Sequence, residues 1–412
     1  MTAPVPAELA GSEVVLDVGP VAHGGHCVAR WDGRVVFVRH SLPGETVRVR
    51  VTEGTESSRF VRADAIEVLR PSPGRVEAPC PYAGPGLCGG CDWQHATPAT
   101  QRELLGAVVA EQLARLAGIE REVVVEAVAP EDLGWRTRLG WTVDAQGRPG
   151  LHRHRSHDVL PVDRCLIAAP DLPDAHTRTW SAGHVDVAVS SLGDTVLLAD
   201  GDAVQGRARV RERVHERDFR VSAAGFWQVH PAAARTLVDA VLSYGRPAPG
   251  ERVADLYAGV GLFSAFLGDA VGADGSVLAV EGDPRAVKDA RRNLHDLPQV
   301  RIEAGRVGDM LARLPITPLD LVVLDPPRAG ARAAVVGQIA ARAPSRVVYV
   351  ACDPAALARD IATFTEQGYA LSDLRAFALF PMTHHVECVA LLTRADDTPP
   401  CCEYLAIRAG PG

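Results

Sequence analysis

Residues 251–268 read ERVADLYAGVGLFSAFLG, and this stretch decides the fold class. A short apolar run ends at Asp255, a turn carries Gly259 and Gly261, and an apolar helical pattern follows. The same strand–turn–helix order recurs in GSVLAVEGDPRAVKDARRNL (275–294), LDLVVLDPPRAG (319–330) and SRVVYVACDPAALARDIATF (345–364). Strands alternating with helices predict a parallel sheet, so residues 223–412 are expected to form a doubly wound, Rossmann-like α/β domain. Ligands of such sheets bind outside the carboxyl ends of the strands, and the turns there are where chemistry is sought.

Working outward, the first 70 residues change period. SEVVLDVG (12–19), HCVARWDGRVVFVRH (26–40), ETVRVRVTE (45–53) and FVRADAIEVLR (60–70) alternate apolar with polar residues between glycine-rich turns. This predicts a small OB-like antiparallel β-barrel over 1–70, a class that often binds oligonucleotides. PSPGRVEAPCP (71–81) then leads into a cysteine cluster, and HATPATQRELLGAVVAEQLARLAG (95–118) has apolar residues at helical spacing. LGWTVDAQG, DVAVSSLGDTVLLADGD and FRVSAAG are β-like again, so 71–222 is expected to be a β-rich middle domain.

At 412 residues and 47% hydrophobic, the chain is long and apolar enough for two or three packed domains. The first eleven residues show no basic start followed by an apolar run, and no stretch is long enough to span a bilayer; a cytoplasmic protein without membrane contact is expected. The net charge of −8 argues mildly against nucleic acid. GLHRHRSHDV (150–159) and RARVRERVHERDFR (207–220) are locally basic, but interspersed Glu212, Glu216 and Asp218 make a solvated mixed-charge surface the plainer reading.

In the first turn, glycines at 259 and 261 allow close approach of a ligand to the backbone. Ser264 stands where a dinucleotide fingerprint has its third glycine, which disfavours a nicotinamide oxidoreductase. Glu281, at the tip of the next strand and 22 residues beyond Gly259, is placed to accept from ribose hydroxyls. Asp309 falls after the third strand, where an adenine amino group is met. Together with the DPP segment at Asp325, these features resemble class I S-adenosylmethionine methyltransferases, and the resemblance implies that cofactor.

Cys352 follows the apolar strand 346–351, with a helix starting near Pro354 whose amino-terminal dipole would favour a thiolate. A thiolate adding at carbon 6 of uracil makes carbon 5 nucleophilic, and a base must afterwards remove the carbon-5 proton. Glu387 in FPMTHHVECVALL lies 35 residues on among apolar neighbours, which should raise its pKa to that of a general base. A buried small hydrophobe and a structural salt bridge are the plain readings of these two residues. Arg328 replaces the aromatic that adenine-N6 enzymes carry after their Pro-Pro turn, and the PCQ segment of cytosine-5 enzymes is absent.

Over nearly its whole length the chain resembles the RNA uridine-5 methyltransferases of the TrmA/RumA type, through FWQVH (226–230), DLYAGVGLF, VEGDP, LDPPRAG, YVACDPAALARD and FPMTHHVE. The resemblance implies Cys352 as nucleophile and Glu387 as base. It also implies cofactor contacts from Gln228, Asp255, Tyr257, Gly259, Gly261, Glu281, Asp309 and Asp325, an RNA substrate (ribosomal rather than transfer RNA) and a monomer. His230, Leu262 and Asp353 depart from the family's usual residues. The amino-terminal barrel corresponds to a TRAM domain, and such members often bind a [4Fe-4S] cluster. Cys80, Cys88, Cys91 and Cys165 are the implied ligands; the resemblance favours iron–sulfur, while ligand type alone leaves tetrahedral zinc open. The basic segments then become expected phosphate contacts. A transfer-RNA enzyme and an RNA-binding module without activity are the alternatives.

Overall fold

The computed structural model describes residues 7–181 and 183–395; the outermost parts of the first and last expected domains, 1–6 and 396–412, lie outside the described residues. Strands β1 (Glu13–Asp17), β2 (Cys27–Trp31), β3 (Arg34–Arg39), β4 (Thr46–Glu53) and β5 (Phe60–Arg70) form one sheet in the order β1-β4-β5-β3-β2. Pairing is antiparallel except between β3 and β5, and three register shifts along β4/β5 curl the sheet into a partial barrel. Alternation fills its interior: Val47, Val49 and Val51 face Val36, Val38, Val61 and Ala63, all buried.

Helix α1 (Pro98–Ala117) starts at a Thr97 cap with Pro98 in its first turn and stops at Gly118, whose φ of 67° closes the last turn in the left-handed region. Its buried leucines and valines share one continuous apolar cluster with the barrel valines and with the carboxy-terminal sheet. Strand β6 (Val125–Glu126) pairs with the edge of that sheet. This portion of the expected middle domain therefore packs with the carboxy-terminal unit.

The middle region is a six-stranded sheet of β7 (Arg138–Val143), β8 (Pro149–His152), β9 (Val159–Pro161), β10 (His184–Val189), β11 (Thr195–Ala199) and β12 (Asp202–Gly206), ordered β12-β11-β10-β7-β8-β9. A hairpin, β13 (Arg209–Val214) and β14 (Arg217–Ser222), buries Val210, Phe219 and Val221 in the core of the carboxy-terminal domain.

That domain runs α2 (Ala233–Gly245), β15 (Arg252–Leu256), α3 (Leu262–Val271), β16 (Ser276–Glu281), α4 (Pro284–Asn293), β17 (Val300–Ala304), α5 (Val307–Arg313), β18 (Leu321–Leu324), α6 (Arg332–Ala340), β19 (Arg346–Ala351), α7 (Pro354–Glu366), β20 (Tyr369–Phe377) and β21 (Glu387–Arg394). The sheet order is β17-β16-β15-β18-β19-β21-β20-β6. The strands from β17 to β19 are parallel, and β21 inserts antiparallel between β19 and β20. The order reverses between β15 and β18, which opens a crevice above their carboxyl ends. No helix among the described residues is long and apolar enough to cross a membrane.

Asp360 of α7 fixes one wall of that crevice. Its buried carboxylate accepts from Tyr349 Oη at 2.6 Å, Ala331 N at 2.7 Å and Arg332 N at 3.2 Å, capping α6 directly after the DPPRAG turn. Replacing Asp360 by alanine leaves a buried hydroxyl and amides unpaired. Asp360→Ala is expected to cost about 3 kcal/mol in chemical denaturation, while Asp360→Asn costs less.

Candidate active site

A cavity of about 1230 Å³ lies over the switch point. Gln228, Tyr257, Gly259, Glu281, Asp309, Asp325, Cys352 and Glu387 all line it. Strand termini explain the convergence: Tyr257 follows β15, Glu281 ends β16, Asp325 follows β18 and Cys352 follows β19. Glu387 arrives differently. It opens β21, which runs against β19 with Ala351 opposite Cys388. Cys352 and Glu387 are the next residues beyond that pair, and the Glu387 charge is close enough to act on the thiol.

Two expected contacts are not in the cavity. Asp255 is fully buried beneath the turn, with one oxygen accepting from Ser264 Oγ at 2.5 Å and the other unpaired. Its charge is felt at the site through Asp325, whose carboxyl it raises. Gly261 starts α3 at φ 89°, and a Cβ there would stand 2.7 Å from Leu294 Cδ1; its smallness serves helix packing. Gly259 is the opposite case: at φ 57° an added Cβ would meet nothing within 4 Å, so it borders open cavity. Glu281 is fixed for acceptance from a ligand, because Gly259 N and Asp283 N already donate to its oxygens at 2.7 and 2.6 Å. An anchored carboxylate, an open glycine turn and Asp309 in the first turn of α5 fit a bound adenosine, and the Asp325 carboxylate, without a hydrogen-bond partner among the described residues, fits an ammonium group.

The electrostatics differ from one expectation. Burial pushes the Cys352 thiol up to about 11, and the carboxylates of Glu387, Asp325 and Asp353 add to the shift; Arg328 alone opposes it. A resting thiolate, expected from the position before α7, is therefore outweighed by desolvation and three acidic neighbours. The same burial raises Glu387 well above the usual carboxylate range, with Asp325 adding to it. Asp325 is itself pushed up to about 7 by burial and the Asp255 charge. Asp353, where the family usually has asparagine, caps α7 by accepting from Ala356 N at 2.7 Å and meets His23 of the barrel at 3.2 Å. His230 accepts from Ala232 N at 3.2 Å and stacks beside Trp135, so this departure lies in the scaffold.

Sequence reasoning missed several lining residues. Phe226 is 74% exposed at the rim, while Trp227 beside it is mostly core. His385 accepts from Arg328 at 3.1 Å, and burial lowers it to about 3, so its neutral ring holds that guanidinium near Cys352. The FWQVH and THHVE segments carried the signal, but not which way each ring faces.

The four cysteines line a second cavity of about 520 Å³, which shares Gly89, Gly90 and Arg136 with the first. Burial raises the Cys88, Cys91 and Cys165 thiols. Gly90 N and Gln94 Nε2 each donate to a cysteine sulfur at 3.4 Å, and Arg136, Arg153, Arg155 and Arg164 stand around the space. These donors and cations suit an anionic sulfur-ligated group. Among the described residues, however, no three His, Cys, Asp or Glu side chains are gathered tightly enough to hold a metal ion. Neither a four-iron cluster nor its zinc alternative is shown by this arrangement, and both rest on the resemblance.

Most of the arginines expected as phosphate contacts are engaged; among the described residues Arg207 and Arg220 have no ion pair. Arg211 pairs with Asp194, Arg213 with Asp218, Arg217 with Asp296 and Arg209 with Asp289. Arg155 meets Glu53, and Arg153 donates to the Gly86 carbonyl. The paired side chains of Arg155, Arg211 and Arg213 nevertheless remain about half exposed or more.

Comparison with known proteins agrees with this geometry. The TRAM domain family matches residues 8–66, and the family described as tRNA (Uracil-5-)-methyltransferase matches residues 311–395. An uncharacterized RNA methyltransferase of Streptomyces avermitilis is 50% identical, over 93% of this chain and 99% of its own. The 23S rRNA (uracil(1939)-C(5))-methyltransferase RlmD of Thiobacillus denitrificans is 31% identical, over 92% of this chain and 99% of its own. The crystal structure of a Pyrococcus abyssi tRNA (uracil-54, C5)-methyltransferase with S-adenosyl-L-homocysteine has the same fold, with a TM-score of 0.69, 22% identity, and 92% and 99% of the two chains covered.

Because the thiol of Cys352 sits at about 11, its alkylation by iodoacetamide in the free protein should rise close to tenfold per pH unit across neutrality and level off only near that value. Glu387→Gln removes a neighbouring negative charge and should shift this profile to lower pH, read by mass spectrometry of the Cys352 peptide.

Proposed function

The chain belongs to the RNA (uracil-5-)-methyltransferase family, and from that membership we propose that it methylates carbon 5 of a uridine in 23S ribosomal RNA, through a covalent bond between Cys352 and carbon 6. The observation that carries this reading is the pairing of a thiol and a buried carboxylate, brought opposite each other by β19 and β21 on one cavity. S-adenosylmethionine, when bound, supplies the electrophilic methyl group; Glu281, Asp309, Gln228 and Asp325 are the residues that would hold it. The ribosomal assignment draws on the Thiobacillus relative, and a transfer-RNA substrate is the alternative.

The target uridine must leave its stack to enter the cavity, and the exposed ring of Phe226 offers a face on which a base can rest. The Cys352 thiol loses its proton to solvent as the base enters, with Arg328 nearest to offset the sulfur charge. The sulfur lone pair forms the bond to carbon 6, and the electrons of the 5,6 double bond move toward carbon 5 and the O4 enolate. Carbon 5 would take the methyl group as the methyl–sulfur bond of the cofactor breaks, the electron pair staying on sulfur in the departing thioether. Glu387 then removes the carbon-5 proton, the double bond reforms and the carbon–sulfur bond breaks. A carboxylate shielded from water and raised in pKa is suited to that abstraction.

The four cysteines are proposed to hold a [4Fe-4S] cluster whose work is structural, tying the loop at 80–91 to Cys165 beside the middle sheet.

RNA containing 5-fluorouridine should trap an adduct with the protein that survives denaturation, and Cys352→Ala should abolish it; an adduct that persists in that variant assigns the nucleophile elsewhere. With ordinary RNA, Glu387→Ala should accumulate the methylated adduct instead of releasing product. Mass-spectrometric mapping of 5-methyluridine in RNA from a deletion strain identifies the substrate, and a missing mark in transfer RNA alone would overturn the ribosomal reading. Protein purified without oxygen should be brown and contain iron and sulfide, and Cys165→Ser should lose both. Colourless, zinc-loaded protein would reject the cluster.

A further inference from the structure

The segment 380–386, which feeds Glu387 into β21, is gripped by residues almost 300 positions earlier. Asp92 N and Trp93 N both donate to the Met382 carbonyl, at 2.8 and 3.0 Å. Gln101 brackets the same residue, accepting from Met382 N at 2.8 Å and donating to its sulfur at 3.2 Å. Met382 is held at φ 69°, a left-handed conformation that a side chain this size adopts only where its surroundings impose it.

Asp92 adds the charged part of the grip. One oxygen takes hydrogen bonds from His384 N at 3.1 Å and His384 Nδ1 at 2.6 Å. The other accepts from Arg39, at the end of barrel strand β3, at 3.3 Å. The Asp92 and Arg39 side chains are only 9% and 7% exposed, so the bridge is shielded from water and salt. The barrel closes over it: a Cβ at Gly25 would stand 2.8 Å from His384 Cβ and 3.2 Å from Asp92 Cβ. His384 in turn lies against His385, ring centroids 4.1 Å apart, and His385 lines the reaction cavity with Glu387. Asp92 itself is outside that cavity.

We propose that Asp92 is a positioning residue for methyl transfer: the Arg39–Asp92–His384 bridge fixes the segment that carries Glu387, so removal of the carbon-5 proton depends on a carboxylate that never touches substrate. The kinetic half of this rests on the reading of Glu387 as the base. Asp92 directly follows Cys91, and so the barrel, the cysteine loop and the base are held by one contact.

Asp92→Asn keeps the shape and removes the charge. In the full-length protein, amide hydrogen exchange over 382–387 should quicken about tenfold or more in this variant, with the barrel and the parallel strands unchanged. In turnover, kcat should fall about tenfold to a hundredfold with KM unchanged, and the methylated adduct should accumulate on ordinary RNA. The rate of adduct formation on 5-fluorouridine RNA, which needs no proton removal, should stay at the wild-type value. His384→Ala should behave alike, and the double variant should be no worse than either single one. Wild-type exchange in 382–387, or equal losses of adduct formation and adduct release, overturns the proposal. Glu387→Ala measured beside these separates the two readings. If it releases product normally, the base assignment fails and only the exchange result judges the grip. If it stalls as the adduct while Asp92→Asn does not, the base stands and the positioning role fails.

Discussion

Everything at this site depends on one strand running the wrong way. In a wholly parallel sheet every carboxyl end faces the crevice, and an amino-terminal residue such as Glu387 would lie at the opposite edge. Because β21 inserts antiparallel between β19 and β20, its first residue arrives where β19 ends. A nucleophile from one strand's end thereby meets a base from another strand's beginning. The ladder register, with Ala351 opposite Cys388, leaves little freedom in their separation.

That closeness has an electrostatic consequence. Cys352, Glu387 and Asp325 all resist ionisation through burial; Glu387 and Asp325 raise Cys352, Asp325 raises Glu387, and Asp255 raises Asp325. The resting site holds a neutral thiol beside two carboxyl groups that burial makes harder to ionise, with Arg328 as the opposing cation. Entry of a base and of a cationic sulfonium would change that balance, so that the reactive forms belong to the loaded site. Asp255 contributes from below, its unpaired oxygen and buried charge acting through Asp325 without reaching the cavity.

The other two regions meet at the same place. The glycines between Cys88 and Cys91 form a wall common to both cavities, and Gly25 of the barrel presses on Asp92 and His384. The barrel, helix α1 and the sheet share an unbroken apolar cluster, so they pack as one body around the crevice. The cavity wall itself is built from the cysteine loop, the middle region and the carboxy-terminal domain, with the barrel behind it.

Much of the sheet could be read from residues alone. The apolar run 346–351 is β19, Pro354 opens α7 under an Asp353 cap, and Glu281 ends β16, because strand runs, proline at a first helical turn and acidic strand tips are local signals. The amino-terminal barrel and the α/β class followed from hydrophobic period in the same way, and the resemblance added that the barrel corresponds to a TRAM domain. Local pattern could not say which side of a turn faces a ligand: Gly259 borders the cavity and Gly261 packs on Leu294, two residues apart in one motif. Nor could it show that the hairpin arginines are already matched by aspartates, since Asp194, Asp289 and Asp296 come from distant segments. The thiol's high pKa has the same origin, in carboxylates brought near by folding. The sequence by itself determined which groups are present and the elements that carry them. Only the tertiary structure decided their mutual distances and their access to water, and those two quantities set every charge in the site.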